Sequence, residues 1–205
     1  MVQTPPKPTT ATTLALNLPC ELRLTVTPEQ FEVLAASNRD LRLERTAQGE
    51  LIVSPPTGWQ TGKRNSGISG ELYLWWRNAG EPGEVFESST GFTLPNGANR
   101  SPDASWVSQA RWDALTPQQK GTFAEICPDF VVELRSESDT LKGLQAKMEE
   151  YLANGAQLGW LLNPKQRTVT VYRPNAAVEV LKDPATVSGE PVLPGFVLDL
   201  KRVWG

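Results

Sequence analysis

The chain has 205 residues, 39% of them apolar, enough for one domain with a core of its own. Its 20 Lys and Arg against 23 Asp and Glu give a formal charge of -3, which excludes the basic footprint of a dedicated nucleic-acid-binding domain and confines any such contact to a local patch. Histidine is absent and the two cysteines, Cys20 and Cys127, are far apart, which excludes Ser-His-Asp and Cys-His catalysis, His-ligated metals, zinc ribbons and disulfide scaffolds. Any metal here is hard and oxygen-ligated, and the cysteine usage points to a reduced, cytoplasmic protein.

Residues 1 to about 19 are rich in Thr and Pro and lack the apolar run of a signal peptide or membrane span, so they read as a flexible arm before a single domain over 20–205. A Thr27-Pro28-Glu29 start, with Phe31, Val33 and Leu34 behind it, predicts a helix. Residues 41–45 and 50–53 alternate around Thr46-Ala47-Gln48-Gly49 and predict a β-hairpin, which Pro55-Pro56-Thr57-Gly58 ends. The next helix is expected over about Lys63 to Asn78, with Ile68, Leu72, Trp75 and Trp76 as its buried stripe. Glu71 lies about 60° from Ile68 at the stripe's edge, as a carboxylate that either pairs at the boundary or turns inward. Lys63 and Arg64 suit a solvated helix end or a phosphate contact.

Short strands follow at 84–87 and 91–94, then a turn at 95–99, and Pro102-Asp103 leads into a strand containing Ala104, Trp106 and Val107. Residues 109–126 read as a surface excursion with a helix start at Thr116-Pro117. The run Phe130, Val131, Val132 and Leu134 is apolar enough for a strand covered on both faces, and Glu133 interrupts it. A carboxylate there must be paired, metal-bound or shifted in pKa. Asp129, Val131, Glu133 and Arg135 share one face of that strand; Phe130, Val132 and Leu134 share the other.

The following helix has Asp139 or Ser138 as its expected N-cap and Asn154-Gly155 as its stop. Leu141, Leu144, Met148, Tyr151 and Leu152 fall within a sector about 100° wide. Lys147 flanks it about 60° from Leu144, whereas Lys142 points about 160° away, so only Lys147 can snorkel back to the sheet. Strands at 157–162, 168–172, 178–181 and 196–200 complete an α/β order with a mixed sheet. The seven tryptophans are expected mostly in packing roles.

Glu71, Asp103, Glu133 and Lys147 together have a chemical logic. Carboxylates can hold a hard cation that polarises a phosphoryl oxygen and acidifies water, and an ammonium can orient that water or stabilise developing charge. A carboxylate pair also serves glycosidases, but the lysine and the lack of an aromatic sugar platform argue against that.

The ordered segments SPDASWV, PDFVVELRSESD, LQAKMEEYLANGAQLGWLLNP and TVTVYRP resemble the PD-(D/E)XK nuclease superfamily, and within it the Uma family of candidate restriction endonucleases, over roughly residues 25–200. The resemblance implies a restriction-endonuclease-like mixed β-sheet core flanked by helices. It implies a metal-dependent DNA endonuclease using Mg²⁺, with Mn²⁺ as a substitute, acting on DNA without a membrane partner and paired as a homodimer to cut both strands. In this correspondence Asp103 and Glu133 are the motif acids, Glu71 the accessory acid and third metal ligand, and Lys147 the lysine moved from the strand to the next helix, with Gln145 beside it. Arg135 stands where the ordinary motif has its lysine; always protonated, it can clamp a phosphate but cannot act as a base. Lys63, Arg64, Arg135 and Gln145 are thus expected on the substrate side. ELRSESD also departs from the family's usual Ser-Pro-Ser turn. The alternative is a non-catalytic module on the same fold that binds nucleic acid or a protein.

Overall fold

A computed structural model describes residues 23–54, 56–121 and 123–205, and the arm expected over 1–19 lies outside them. Helix α1 (Pro28–Ser37) starts at a capping box: Thr27 Oγ1 accepts from Gln30 N, and Gln30 returns its side-chain oxygen to Thr27 N. Phe31 is fully buried while Val33 faces solvent.

Strands β1 (Arg42–Arg45) and β2 (Leu51–Ser54) form the expected hairpin, in register Arg42↔Ser54 to Arg45↔Leu51. Gly49 closes its turn at φ +87°, and a Cβ there would come within 3.1 Å of Val26 O. Helix α2 (Trp59–Asn78) begins one turn before the expected Lys63, because Gly58 in an extended conformation caps it through the backbone alone. Ile68 and Leu72 are its buried residues, with Trp75 and Trp76 packed beside them.

Beyond α2 run β3 (Glu84–Glu87), β4 (Phe92–Thr93), β5 (Asn99–Arg100) and β6 (Ala104–Val107). The excursion that follows holds two short helices, α3 (Gln109–Asp113) and α4 (Pro117–Lys120). Strand β7 (Phe130–Leu134) enters α5 (Leu141–Ala153), which returns to β8 (Leu158–Asn163). The N-cap of α5 is Thr140, whose Oγ1 accepts from Gly143 N, and not Asp139 or Ser138: the Asp139 carboxylate is spent one turn earlier, accepting from Ser136 N and Oγ. Asn154 ends the helix as expected and Gly155 follows at φ +111°. The chain finishes with β9 (Thr168–Tyr172), β10 (Glu179–Lys182), β11 (Thr186–Ser188), β12 (Val197–Asp199) and α6 (Lys201–Trp204). β5, β11 and α6 were not expected; each spans only two to four residues, too short for a period to register.

The main sheet has the order β10-β9-β8-β7-β6-β3, antiparallel except for the pair β7–β8, which α5 connects. The hairpin joins a second sheet, β2-β1-β5-β4. One face of the main sheet carries Phe130, Val132, Leu134 and Trp160 against Ile68 and Leu72 of α2 and Val203 of α6. The other carries Val131 and Leu161 against Met148 and Tyr151 of α5. α5 lies close to the sheet because Gly159 has no side chain: a Cβ there would sit 2.4 Å from Met148 Cε. Trp160 serves packing, stacked on Phe196 and edge-on to Phe130.

Candidate active site

The register of β6 against β7 sets the site. Ala104 pairs with Val132, and Asp103 N donates to Val132 O, so Asp103 comes to lie across from Glu133 on the face covered by α5. Both carboxylates are buried, at 5% and 2% exposure. Asp103 Oδ2 accepts from Leu134 N at 2.8 Å, and its Oδ1 accepts from Asn65 Nδ2 at 3.2 Å and Arg42 Nη1 at 3.0 Å. Glu133 Oε1 takes the Tyr151 hydroxyl at 3.0 Å and the Lys147 ammonium at 2.8 Å. Glu133 Oε2 takes no bond from any described residue.

Lys147 enters from α5 as its angle requires, while Lys142 is exposed. Its Nζ is shared with a third acid, Glu44 of β1, at 2.7 Å. Glu44 is held in turn by Ser101 N at 2.9 Å and Arg100 Nη1 at 3.3 Å, and Arg100 Nε reaches Glu150 at 2.6 Å. Arg42, two residues before Glu44 and on the same face of β1, holds Asp103 and also donates to Ser101 O. The hairpin thus braces both halves of the site.

Burial dominates the electrostatics. It pushes Glu133 up; Lys147 pulls the other way, but Asp103 and Glu44 add repulsion, and the pKa rises to about 7. Glu44 is equally buried, yet the Lys147 ammonium and the Arg100 guanidinium outweigh desolvation and hold it below the usual carboxylate range. Burial works against the charge of Lys147, and Glu133 and Glu44 overcome it, so its pKa is raised and it stays an ammonium. Burial likewise opposes the Arg42 charge, and Asp103, Glu133 and Glu44 more than restore it.

Glu71 does not join this group. It sits on α2, against the sheet face opposite to Glu133, and its Oε2 accepts from Asp199 N at 3.0 Å. It caps a strand end, so the expected three-acid set of Glu71, Asp103 and Glu133 is corrected to Asp103 and Glu133. Among the described residues no three such acids are grouped to hold a metal. The α2 residue that reaches the site is Asn65. Arg135 turns to Asp139 O at 3.4 Å, away from the acids. Gln145 and Lys63 are exposed and Arg64 is half-buried; no hydrogen bond or ion pair links any of the three to the acids.

Two carboxylates with one uncommitted oxygen on Glu133 are donors of the kind a hard cation takes, since Mg²⁺ commonly binds one or two protein carboxylates and completes its shell with water and phosphate. The model of the Uma2 family, described as "Putative restriction endonuclease", matches residues 28–201. The chain belongs to the Uma2 family. No curated protein matches it significantly. A crystal structure described as a "putative nuclease belonging to DUF820" from Anabaena variabilis ATCC 29413 superimposes with a TM-score of 0.66, covering 79% of this chain and 89% of that one at 22% identity. At that identity the likeness speaks for the fold: a mixed sheet flanked by helices, shared with a protein described as a nuclease. No described helix of this Uma2 chain is long and apolar enough to cross a membrane.

Proposed function

We propose that this chain is a metal-dependent DNA endonuclease that hydrolyses phosphodiester bonds with an activated water. One observation carries the reading: Asp103, just before β6, and Glu133 of β7 lie side by side in one buried cluster, in which Glu133 pairs with the Lys147 ammonium and Asp103 with Arg42. Family membership supports it. Asp103 and Glu133 are the residues that would hold Mg²⁺ or Mn²⁺, which would supply Lewis-acid polarisation of a phosphoryl oxygen and acidify water. Glu133 Oε2 and the Asp103 carboxylate would be the donors. Lys147 stays charged, so its role is to orient water and stabilise negative charge in the transition state rather than to accept a proton. Arg42, whose side chain is 27% exposed beside Asp103, is placed for a phosphate oxygen. Double-strand cleavage calls for two such sites, as in a homodimer.

The test is a Mn²⁺ and Mg²⁺ titration with plasmid and single-stranded substrates in parallel. Wild type should cut with metal and not with EDTA, and Glu133→Ala, Asp103→Ala and Lys147→Ala should each lose activity. A second reading has its own support: Lys147 and Arg42 already neutralise the acids, as in a non-catalytic binding module. Nucleic-acid binding without cleavage under every metal condition would select it.

A further inference from the structure

Of the seven tryptophans, Trp59 alone is exposed, at 96%. Trp106 and Trp160 are buried and the other four are half-buried. Trp75, Trp76, Trp106 and Trp204 also anchor their indole N–H groups on the carbonyls of Pro194, Gly83, Pro82 and Pro184. Trp59 has no ring contact and no hydrogen bond with any described residue. An exposed aromatic this large presents a full π-face to solvent.

Its position gives that face a use. Trp59 is the first residue of α2, and at about 100° per residue it falls within about 20° of Ser66 and about 60° of Gly62 on the helix surface. Gly62, Ser66 and Ser69 form one wall of a cleft of about 260 Å³. Thr57, Ser66, Ser69 and Ser88 offer it four hydroxyls with no protein partner among the described residues, and Asn65 connects it to the Asp103 carboxylate. Among the described residues no Lys or Arg lines the cleft, and Glu87 does. Such a lining disfavours phosphate and suits a neutral group with several donors and acceptors. The volume lies just below the ~300–1,000 Å³ of drug-sized sites, the scale of a single nucleotide's base and sugar.

We propose that this cleft seats the base and sugar of the nucleotide next to the phosphate taken by Arg42 beside Asp103, and that Trp59 stacks on the following base, so that the substrate is single-stranded or locally unpaired DNA. The term substrate rests on the endonuclease reading; the binding does not. A base can reach the cleft and the indole only outside a duplex stack. Stacking is also the interaction an acidic chain can use, because it does not require an array of phosphate contacts.

The experiment is fluorescence anisotropy with a labelled dT oligonucleotide and a duplex of equal length, in EDTA and in Ca²⁺, on the full chain. Wild type should bind the single strand at least about tenfold tighter than the duplex. Trp59→Ala should lose roughly tenfold on the single strand alone, and Trp59→Phe should recover most of it. Ser66→Phe, which fills the cleft from an exposed position, should weaken the single strand as well. Equal affinity for the two substrates, or no effect of Trp59→Ala, overturns the proposal. Duplex cleavage indifferent to Trp59→Ala would sink it and leave the endonuclease reading standing. Trp59-dependent single-strand binding with no cleavage under any metal would do the reverse.

Discussion

Lys147 of α5 and Glu44 of β1 stand 103 positions apart in the chain, and their charged atoms meet at 2.7 Å. Glu44 and Glu133 each supply one counter-charge to this single buried ammonium, so neither acid can be removed without changing the other's surroundings. Breaking a buried pair leaves a charge short of its partner and costs more than the pair itself contributes.

Glu44→Ala should therefore destabilise the protein by about 3 kcal/mol, the low end for such a break, because Lys147 keeps Glu133 and Arg100 keeps Glu150. Glu44→Gln should cost less, since its amide oxygen can still accept from Ser101 N. Urea denaturation measures both; a loss under about 1 kcal/mol for Glu44→Ala would mean that desolvation already cancels the attraction.

The raised Glu133 pKa has a definite sign in stability. The folded protein holds this proton more tightly than the unfolded chain, so the contribution is full below the unfolded value of about 4.5 and is lost as pH rises through about 7. Glu44 works oppositely: its depressed pKa stabilises above the unfolded value and fades as the solution is acidified further. Urea midpoints between pH 5 and 8 should fall with pH in wild type and flatten in Glu133→Gln. Parallel curves for the two proteins would exclude Glu133 as the titrating group.

Metal should relieve the crowding of Asp103 and Glu133. Binding to the folded state alone contributes about 2.7 kcal/mol at a hundredfold excess over Kd, a rise of roughly 5–10 °C in Tm for a chain of this size. Asp103→Ala and Glu133→Ala should each abolish most of that rise in Mn²⁺ melts, and equal shifts in wild type and variants would remove them as ligands.

Glu71→Ala should leave the metal response intact. It deletes only the acceptor for Asp199 N and should cost about 1 kcal/mol, seen as a small drop in Tm. A lost metal response in this variant would contradict its place on the opposite face of the sheet.

The unit β7–α5–β8 was legible because its information is local: apolar period, one intruding carboxylate, and a lysine flanking the buried stripe. Angles on one helix were enough to choose Lys147 over Lys142. The same reasoning misassigned Glu71, because periodicity says which side of its own helix a residue occupies and not which sheet face that helix covers. Arg42 and Glu44 were passed over for a related reason. They alternate with Leu43 as an outward face of a hairpin would, and only the docking of β1 beside β5 turns that face onto the site. Two opposite charges at i and i+2 beside a buried leucine were the available signal. Asn65 carried none, since a polar residue six positions before the Glu71 candidate looks like any solvated helix side chain.

The brace from the hairpin also bears on the order in which the molecule assembles. β7, α5 and β8 are neighbours in sequence and can condense early, whereas the bond from Glu44 to Lys147 closes a loop of about a hundred residues and is favoured only after both ends are ordered. Contacts completed after the rate-limiting step act on the escape rate. The hairpin is then a latch: in stopped-flow chevrons Glu44→Ala steepens neither arm but lifts the unfolding limb, with refolding little changed. What this long-range ion pair sets is how long the folded chain persists rather than how fast it forms.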